Sequence, residues 1–467
     1  MIKTSLTLLS LISSALLTYA EKPLNFVLIN IDDMGCRDLA CFGSTFYETP
    51  HLDAFAQRAL KCDQAYAACA VCSPSRASIM TGRYPTRLGI TNFISYMEVS
   101  KKIKNGTPLN TQKGKFSQGS KKKLSCPLNV EELPLAEITI PEMLKPAGYI
   151  SAHIGKWHLG HRGHFPQDQG FDVNFAGCGL GAPGSYFSPY SSKSRPTPAH
   201  LKLKEKGEYL TDRETEEAID FISTNQNKPF FLYLSHYAVH SPNMGKPELV
   251  AKYKNKNATG PQKNAVYAAM VESVDQNFGK LFQHLENLNL LDRTVIIFTS
   301  DNGGQSATKQ SPIRGKKGMP YEGGIRVPQL IYWPGLTKPG STTDTPINHI
   351  DIFPTIAEAA GITPGHPIDG ESLIPMLRDG TPLQREALFW HFPHYHASPP
   401  YTVVRSGNFK LIHYYEKGNS ELYDLSKDPY EKSNISTQLP EKTQALKKLM
   451  HNHLNELDGQ IPRPYQP

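Results

Sequence analysis

The sequence predicts an α/β protein: a large, mostly parallel sheet between helices, followed by a smaller C-terminal antiparallel sheet with a closing helix. Three observations carry this. Two apolar runs, Leu24–Ile31 and Val295–Thr299, have the near-unbroken hydrophobicity of strands covered on both faces, as parallel strands are. Around them, strand-like runs alternate with helical periodicity. Beyond about residue 380 the texture changes to short strands divided by turn residues. A chain of 467 residues, 39% hydrophobic and 20% charged, is long enough for two subdomains, drawn here at 21–380 and 381–467.

Residues 1–20 read as a secretory signal peptide. Lys3 supplies the positive start, Leu6 to Leu17 the apolar stretch, and Thr18-Tyr19-Ala20 a small-residue cleavage site before Glu21. The stretch is shorter than the ~20 residues that span a bilayer, so export with no stable membrane insertion is expected. Losing it removes one lysine and no acid from a chain of net charge +7. That modest excess suits an anionic substrate, and nothing in it points to nucleic acid.

In chain order, Leu24–Ile31 ends in Asp32-Asp33. A helix is expected from Thr49 to Leu60, with Thr49 as N-cap, Pro50 in the first helical position, and Leu52, Phe55 and Ala59 on one face. A capping box, Thr139 to Glu142, opens a helix that closes near Gly148 and is shortened by Pro146. The strand Tyr149–Ile154 leads into Gly155-Lys156-Trp157-His158. A second capping box, Thr211 to Glu214, opens the helix bearing Ala218, Ile219, Phe221 and Ile222. Pro229–Leu234 is a strand. Met270, Val274, Phe278, Leu281 and Leu285 form one face of a helix from Val266 to Leu288. Val295–Thr299 ends in Ser300-Asp301-Asn302. Tyr401–Val404, Phe409–Tyr415 and Glu421–Leu425 form a meander, and Lys442–Leu457 is the final helix.

Residues 101–123 hold eight lysines and no acid, the composition of a solvated, mobile insertion. The seven cysteines are Cys36, Cys41, Cys62, Cys69, Cys72, Cys126 and Cys178. An odd count in an exported chain asks for one special thiol. The other six allow up to three disulfides, with the pairing open.

Two features carry chemistry. Asp32-Asp33 and Asp301-Asn302 each follow an apolar strand, where α/β sheets place ligands, and an oxygen-only donor set suits Ca²⁺ or Mg²⁺. Cys72-Ser73-Pro74-Ser75-Arg76 runs on through Thr81-Gly82-Arg83-Tyr84-Pro85. Pro74 suits a helix start, which puts residue 72 at a positive N-terminus and Arg76 one turn further on the same side.

The Cys72 stretch resembles the signature of type I, formylglycine-dependent sulfatases, an arylsulfatase-like family of the alkaline phosphatase superfamily. Gly155-Lys156-Trp157-His158-Leu159-Gly160 matches a second block of that family. His240, one residue ahead of Ser241-Pro242, matches a third, and Lys317 ahead of Tyr321-Glu322-Gly323-Gly324-Ile325-Arg326 a fourth. The blocks appear in the family's order over about residues 24–430. The resemblance implies an alkaline-phosphatase-like fold, a large mixed sheet between helices. It implies that a formylglycine-generating enzyme converts Cys72 to formylglycine. One Ca²⁺ would be held by Asp32, Asp33, Asp301, Asn302 and an oxygen of residue 72. The hydrated aldehyde would attack sulfur with one hydroxyl and release sulfate with the other. Arg76 would face the same site, Lys156 and Lys317 would bind sulfate, and His158 would orient or deprotonate the hydroxyl. His240 would donate a proton to the leaving oxygen. Glu322 and Arg326 read as a structural ion pair.

The expected substrate is a sulfated carbohydrate, with galactose or N-acetylgalactosamine as the sugar. Sugar-binding side chains are sought in His161, Arg162 and His164, in the Gly177–Gly184 run, and in Trp390–His396. Two other readings stand beside it. One is a phosphodiesterase or phosphonate monoester hydrolase using the same nucleophile. The other is an inactive, secreted glycan-binding protein with unmodified Cys72.

Overall fold

β1 (Asn25–Ile31) is buried along its whole length and lies inside an eight-stranded mixed sheet. The computed structural model describes residues 23–117 and 122–465, so the signal peptide expected at 1–20 lies outside the described residues. The other strands of this sheet are β2 (Leu60–Cys62), β3 (Ile150–Gly155), β4 (Val173–Phe175), β5 (Phe230–His236), β6 (Thr294–Ser300), β7 (Gln329–Tyr332) and β8 (Thr342–Thr343). Their spatial order is β8-β2-β7-β6-β1-β5-β3-β4. The block β6-β1-β5-β3-β4 is parallel throughout, and β7 runs antiparallel to both β6 and β2.

The period-2 alternation of β1 explains its two covered faces. Val27, Ile29 and Ile31 belong to one core with α1 (Pro50–Ala56), α3 (Leu210–Asn225) and α4 (Ala265–Asn287). Phe26 and Leu28 point into a second core, with α2 (Cys72–Thr81) and α5 (Ile352–Ala359). The helices therefore sandwich the sheet, as a parallel sheet requires.

β9 (Leu388–Phe392), β10 (Tyr401–Ser406), β11 (Phe409–Tyr414) and β12 (Ser420–Asp424) form an antiparallel sheet in chain order, with α6 (Pro440–Glu456) packed on it. β9 was not foreseen as a strand. Trp390, expected at a sugar-binding wall, is buried in it, and its indole Nε1 donates to the Ala67 carbonyl at 2.7 Å.

Several local expectations are corrected. α1 stops at Ala56, because Leu60 is taken into β2. The Thr139–Glu142 capping box forms, and the helix tightens to a 3-10 turn at Lys145–Ala147, around Pro146. The Thr211–Glu214 box does not. α3 starts at Leu210 after Tyr209, and the Glu214 carboxylate instead lies 2.6 Å from His236 Nδ1. The lysine-rich stretch is partly structured: Tyr96–Lys104 is helical, Lys102 pairs with Glu131 at 2.5 Å, and the Lys113 ammonium donates to the Leu457 carbonyl at 2.8 Å. All seven cysteines are free.

Glu322 does not pair directly with Arg326. Its carboxylate takes the ammonium of Lys410, from β11, at 2.9 Å, and the Tyr66 hydroxyl at 2.7 Å. Lys410 also reaches Glu431 at 2.7 Å, and Glu431 Oε2 accepts from Glu322 N at 2.8 Å. The Lys410 side chain is fully buried here. This triad ties the small sheet to the loop that follows Lys317. Lys410→Met keeps the volume and strands two buried carboxylates, so stability should fall by about 3–5 kcal/mol. Chemical denaturation measures it; an unchanged midpoint would show that the carboxyl groups neutralise without cost.

Candidate active site

β1 and β6 are paired in parallel with Ile31 opposite Ser300, so the turns that leave them lie side by side. Asp32-Asp33 and Asp301-Asn302 are thereby brought together, all fully buried. Asp33 N donates to Asp301 Oδ1 at 3.1 Å, and Asn302 Nδ2 donates to Asp33 Oδ1 at 2.8 Å. Asp33 sits in the left-handed backbone region at φ 63°, as does His158 at φ 61°. Such conformations cost about 1–3 kcal/mol in a non-glycine residue and cluster at functional sites.

α2 begins at Cys72, with Val71 as an extended N-cap and Pro74 within the first turn. Residue 72 thus stands at the positive end of a helix dipole. Ser73 Oγ accepts from Ile94 N at 3.0 Å and Ser75 Oγ bonds Cys69 on both its N–H and its carbonyl, so short-range bonds fix the helix entry. One turn on, the Arg76 guanidinium donates to Asp301 Oδ2 at 2.8 Å, to the Lys156 carbonyl at 2.7 Å and to Ser235 Oγ at 2.6 Å. It is fully buried beneath the site and organises it from below. The Lys156 ammonium rests on Asp32 Oδ2 at 2.6 Å, and Lys317 bridges Asp33 Oδ1 at 2.6 Å and Cys72 Sγ at 3.2 Å.

The two histidines differ in their free nitrogens. His158 Nε2 is 2.7 Å from the Ile94 carbonyl, an acceptor only, so Nε2 carries the hydrogen. Nδ1 is left buried with no partner and with its lone pair free. Burial, with Lys156 and Arg76 nearby, holds the ring well below the usual histidine range, so it is neutral. His240 Nδ1 donates to the Ser241 carbonyl at 2.7 Å, which leaves Nε2 facing Asp33 Oδ2 at 3.5 Å. Burial takes its pKa down to about 3 even with Asp33 beside it.

The acids respond to the same field. Burial pushes Asp32 well above the usual carboxylate range, and Asp301 and Asp33 add to this against the pull of Lys156. Burial also acts on Asp33, but Lys317, His240 and Lys156 outweigh it and hold it low. The Cys72 thiol is pushed up to about 11 by burial, with Lys156 and Lys317 only partly opposing. Unmodified, it is a thiol at neutral pH and a poor nucleophile.

The site fits a hard divalent cation. Asp32 Oδ1 and Asn302 Oδ1 are buried oxygens without hydrogen-bond partners, and three carboxylates converge there. One ligand atom each from Asp32, Asp33, Cys72 and His240 lies within 4.8 Å of the others. Asp301 and Asn302 lie beside this group and add oxygen donors, the kind Ca²⁺ prefers.

Above this floor opens a cavity of about 250 Å³, with Cys72, His158, His240 and Lys317 at its base. The sulfatase family profile matches residues 24–362. The chain belongs to the sulfatase family. A second profile, N-sulphoglucosamine sulphohydrolase C-terminal, matches residues 315–460 of this sulfatase. Human N-acetylgalactosamine-6-sulfatase is 34% identical over 79% of this chain and 69% of its own length. A sulfatase of Formosa agariphila is 31% identical over 93% of this chain and 88% of its own. The crystal structure of Ps i-CgsB in complex with k-i-k-neocarrahexaose superposes with a TM-score of 0.78, at 27% identity, over 96% of this chain and 95% of that one. The protein is thus a sulfuric ester hydrolase of the alkaline phosphatase superfamily.

The residues singled out at the catalytic floor come together. Those expected in the wall mostly do not. His161 is buried and stacks on Tyr96 at 5.3 Å between centroids, and His164 bonds the Leu133 carbonyl at 2.9 Å. Neither they nor Arg162 line the cavity. Of the Trp390–His396 run only His396 does, while Leu180, Gly181 and Ala182 represent the glycine-rich run. Phe93, Tyr96, Met97 and Arg195 also line it and carried no signal in the sequence. Ser235, which anchors Arg76, was hidden inside an apolar strand.

Gly181 has a specific reason to be glycine. A Cβ there would lie 2.7 Å from His158 Cε1 and Nε2. Gly181→Ala should therefore displace the imidazole and lower kcat by about a hundredfold, since ångström-scale misplacement of a catalytic group costs that much. Undiminished turnover of a sulfate ester by this variant would show that the ring's position is not critical. In protein made without maturation, iodoacetamide should label Cys72 slowly near pH ~8, where ordinary thiols react, and faster only as the pH rises. The folded-state pKa of about 11 sets that window, and mass spectrometry reads it. Rapid labelling at the lower pH would contradict the burial argument.

Proposed function

We propose that this enzyme removes sulfate from a sulfated carbohydrate, with galactose or N-acetylgalactosamine as the sugar, using formylglycine derived from Cys72 and one Ca²⁺. The observation that carries the reading is the cavity floor: residue 72 at a helix N-terminus with the Lys317 ammonium 3.2 Å from its sulfur, in a cavity that His158 also lines, beside the carboxylates of Asp32 and Asp33. The names of two relatives support the sugar, an N-acetylgalactosamine-6-sulfatase and a protein solved with k-i-k-neocarrahexaose.

Formylglycine supplies, as a hydrated aldehyde, a hydroxyl nucleophile and a route for releasing sulfate. Ca²⁺, held by Asp32, Asp33, Asp301, Asn302 and an oxygen of residue 72, supplies positive charge for the sulfate oxygens. The remaining work falls to the chain's own side chains. His158 Nδ1, neutral and unpartnered, is the base that takes a proton at residue 72. Lys317 stands within hydrogen-bond reach of the residue-72 side chain and binds the anionic ester beside it. Lys156 pairs with Asp32 at 2.6 Å and would bind the sulfate from that position. His240, on the Asp33 side, supplies a proton to the leaving oxygen; a bound anion favours its imidazolium against the burial that keeps it neutral. Arg76 keeps Asp301 and the β3 and β5 strand ends in register.

Three carboxylates face three cations, Arg76, Lys156 and Lys317, across this floor. A divalent ion held there would leave the floor with a positive excess suited to a sulfate ester. The proposal includes export after loss of residues 1–20 and maturation by a formylglycine-generating enzyme. Among the described residues no helix is long and apolar enough to cross a membrane.

The test is sulfate release from a panel of sulfated mono- and oligosaccharides by protein co-produced with the maturing enzyme. Release from a sulfated galactose or N-acetylgalactosamine, lost by more than about a thousandfold in Cys72→Ala, is expected. Comparable turnover by that variant, or preference for phosphodiesters over every sulfate ester, would sink the proposal.

A further inference from the structure

The cavity wall holds a cation that the chemistry at residue 72 leaves without a task. Arg195 lines the cavity and is partly buried, and its guanidinium has no carboxylate, carbonyl or aromatic partner among the described residues. Four more deeply placed arginines are engaged: Arg76 with Asp301, Arg213 with Glu217, Arg385 with Asp351, and Arg405 with Tyr66. None of the residues lining the cavity is acidic. Arg195 therefore lines a space in which no protein carboxylate competes with a ligand for its charge.

The loop that carries it is built, not slack. Gly184 N and Ser185 N both donate to the Tyr190 carbonyl, at 3.0 and 3.1 Å. Ser192 N donates to the Arg195 carbonyl at 2.8 Å, closing a turn, and Thr197 Oγ1 donates to the Pro189 carbonyl at 2.7 Å. A Cβ on Gly184 would stand 2.4 Å from Ser192 N, so the two limbs of the loop are pressed together. The backbone presents Arg195 from a defined position.

On the reading above, the scissile sulfate already has Lys317 at the cavity base. We infer that Arg195 binds a second anionic group of the same substrate, a sulfate or a carboxylate, so that the preferred sugar carries two such groups. The guanidinium fork suits either, since both offer paired oxygens at its spacing. This inference rests on the sulfated-carbohydrate reading and narrows it.

Binding to Cys72→Ala separates the two, because that variant does not turn over. Three probes are compared by calorimetry: a monosulfated hexosamine, a disulfated hexosamine, and a disaccharide with one sulfate ester and one uronate carboxylate. At least one bis-anionic probe should bind about tenfold or more tighter than the monosulfated one, the scale of a charged hydrogen-bond pair. The one that does identifies the second group. Adding Arg195→Gln should collapse that ratio toward one, and Arg195→Lys should restore it in part. Equal binding of all three probes, no binding of any, or a ratio that survives Arg195→Gln would overturn the assignment. Turnover by the matured parent protein judges the sulfatase reading separately. A binding preference without hydrolysis of any sulfate ester would sink that reading and leave Arg195 in place.

Discussion

Three carboxylates, Asp32, Asp33 and Asp301, are buried within reach of one another, and the rest of the site is arranged around what that costs. Burying a lone carboxylate is prohibitive, and burying three together adds repulsion. The fold answers with cations from three separate elements: Arg76 from α2, Lys156 from the end of β3, and Lys317 from the loop before Glu322. Each must be delivered by its own strand or helix, so the parallel register of β1 with β5 and β6 is a condition for charge balance as well as for packing. Burial keeps His158 neutral, and the charges of Lys156 and Arg76 act in the same direction.

The small C-terminal sheet takes part in this arrangement. It places Lys410 on Glu322 and Glu431, and its neighbour Arg314 donates to the Glu431 carbonyl at 2.8 Å. The glycine pair after Glu322 lies directly against the turn that follows Asp301-Asn302: a Cβ on Gly303 would come within 2.1 Å of the Gly323 carbonyl. Position at Lys317 is therefore set from two sides, by the turn after β6 and by the small sheet.

What could be read from the sequence divides along physical lines. β1 and β6 were visible because a strand covered on both faces writes its burial into every residue. The buried cluster of Asp32, Asp33, Cys72, Arg76, Lys156, Asp301 and Lys317 was visible as a group because its residues lie in short contiguous blocks. The wall was not, because a buried indole and a ligand-facing one look alike in sequence: Trp390 turned out to serve the Ala67 carbonyl. Glu214 has capping-box spacing, yet His236, 22 residues later, holds its carboxylate. Arg195 sits in a serine- and proline-rich stretch with no periodicity, and only the folded loop gives it a direction. The lysine run is largely solvated in its described part, as its composition says, but Lys102 and Lys113 find partners on distant segments that sequence proximity does not show.

Residue 72 is 2% exposed, and every residue of α2 around it is buried. A macromolecule that is to act on Cys72 must therefore reach it before α2 packs, because the finished fold hides the backbone on either side of it. Enzymatic alteration of this residue would compete with folding, and slower folding of the chain would favour it.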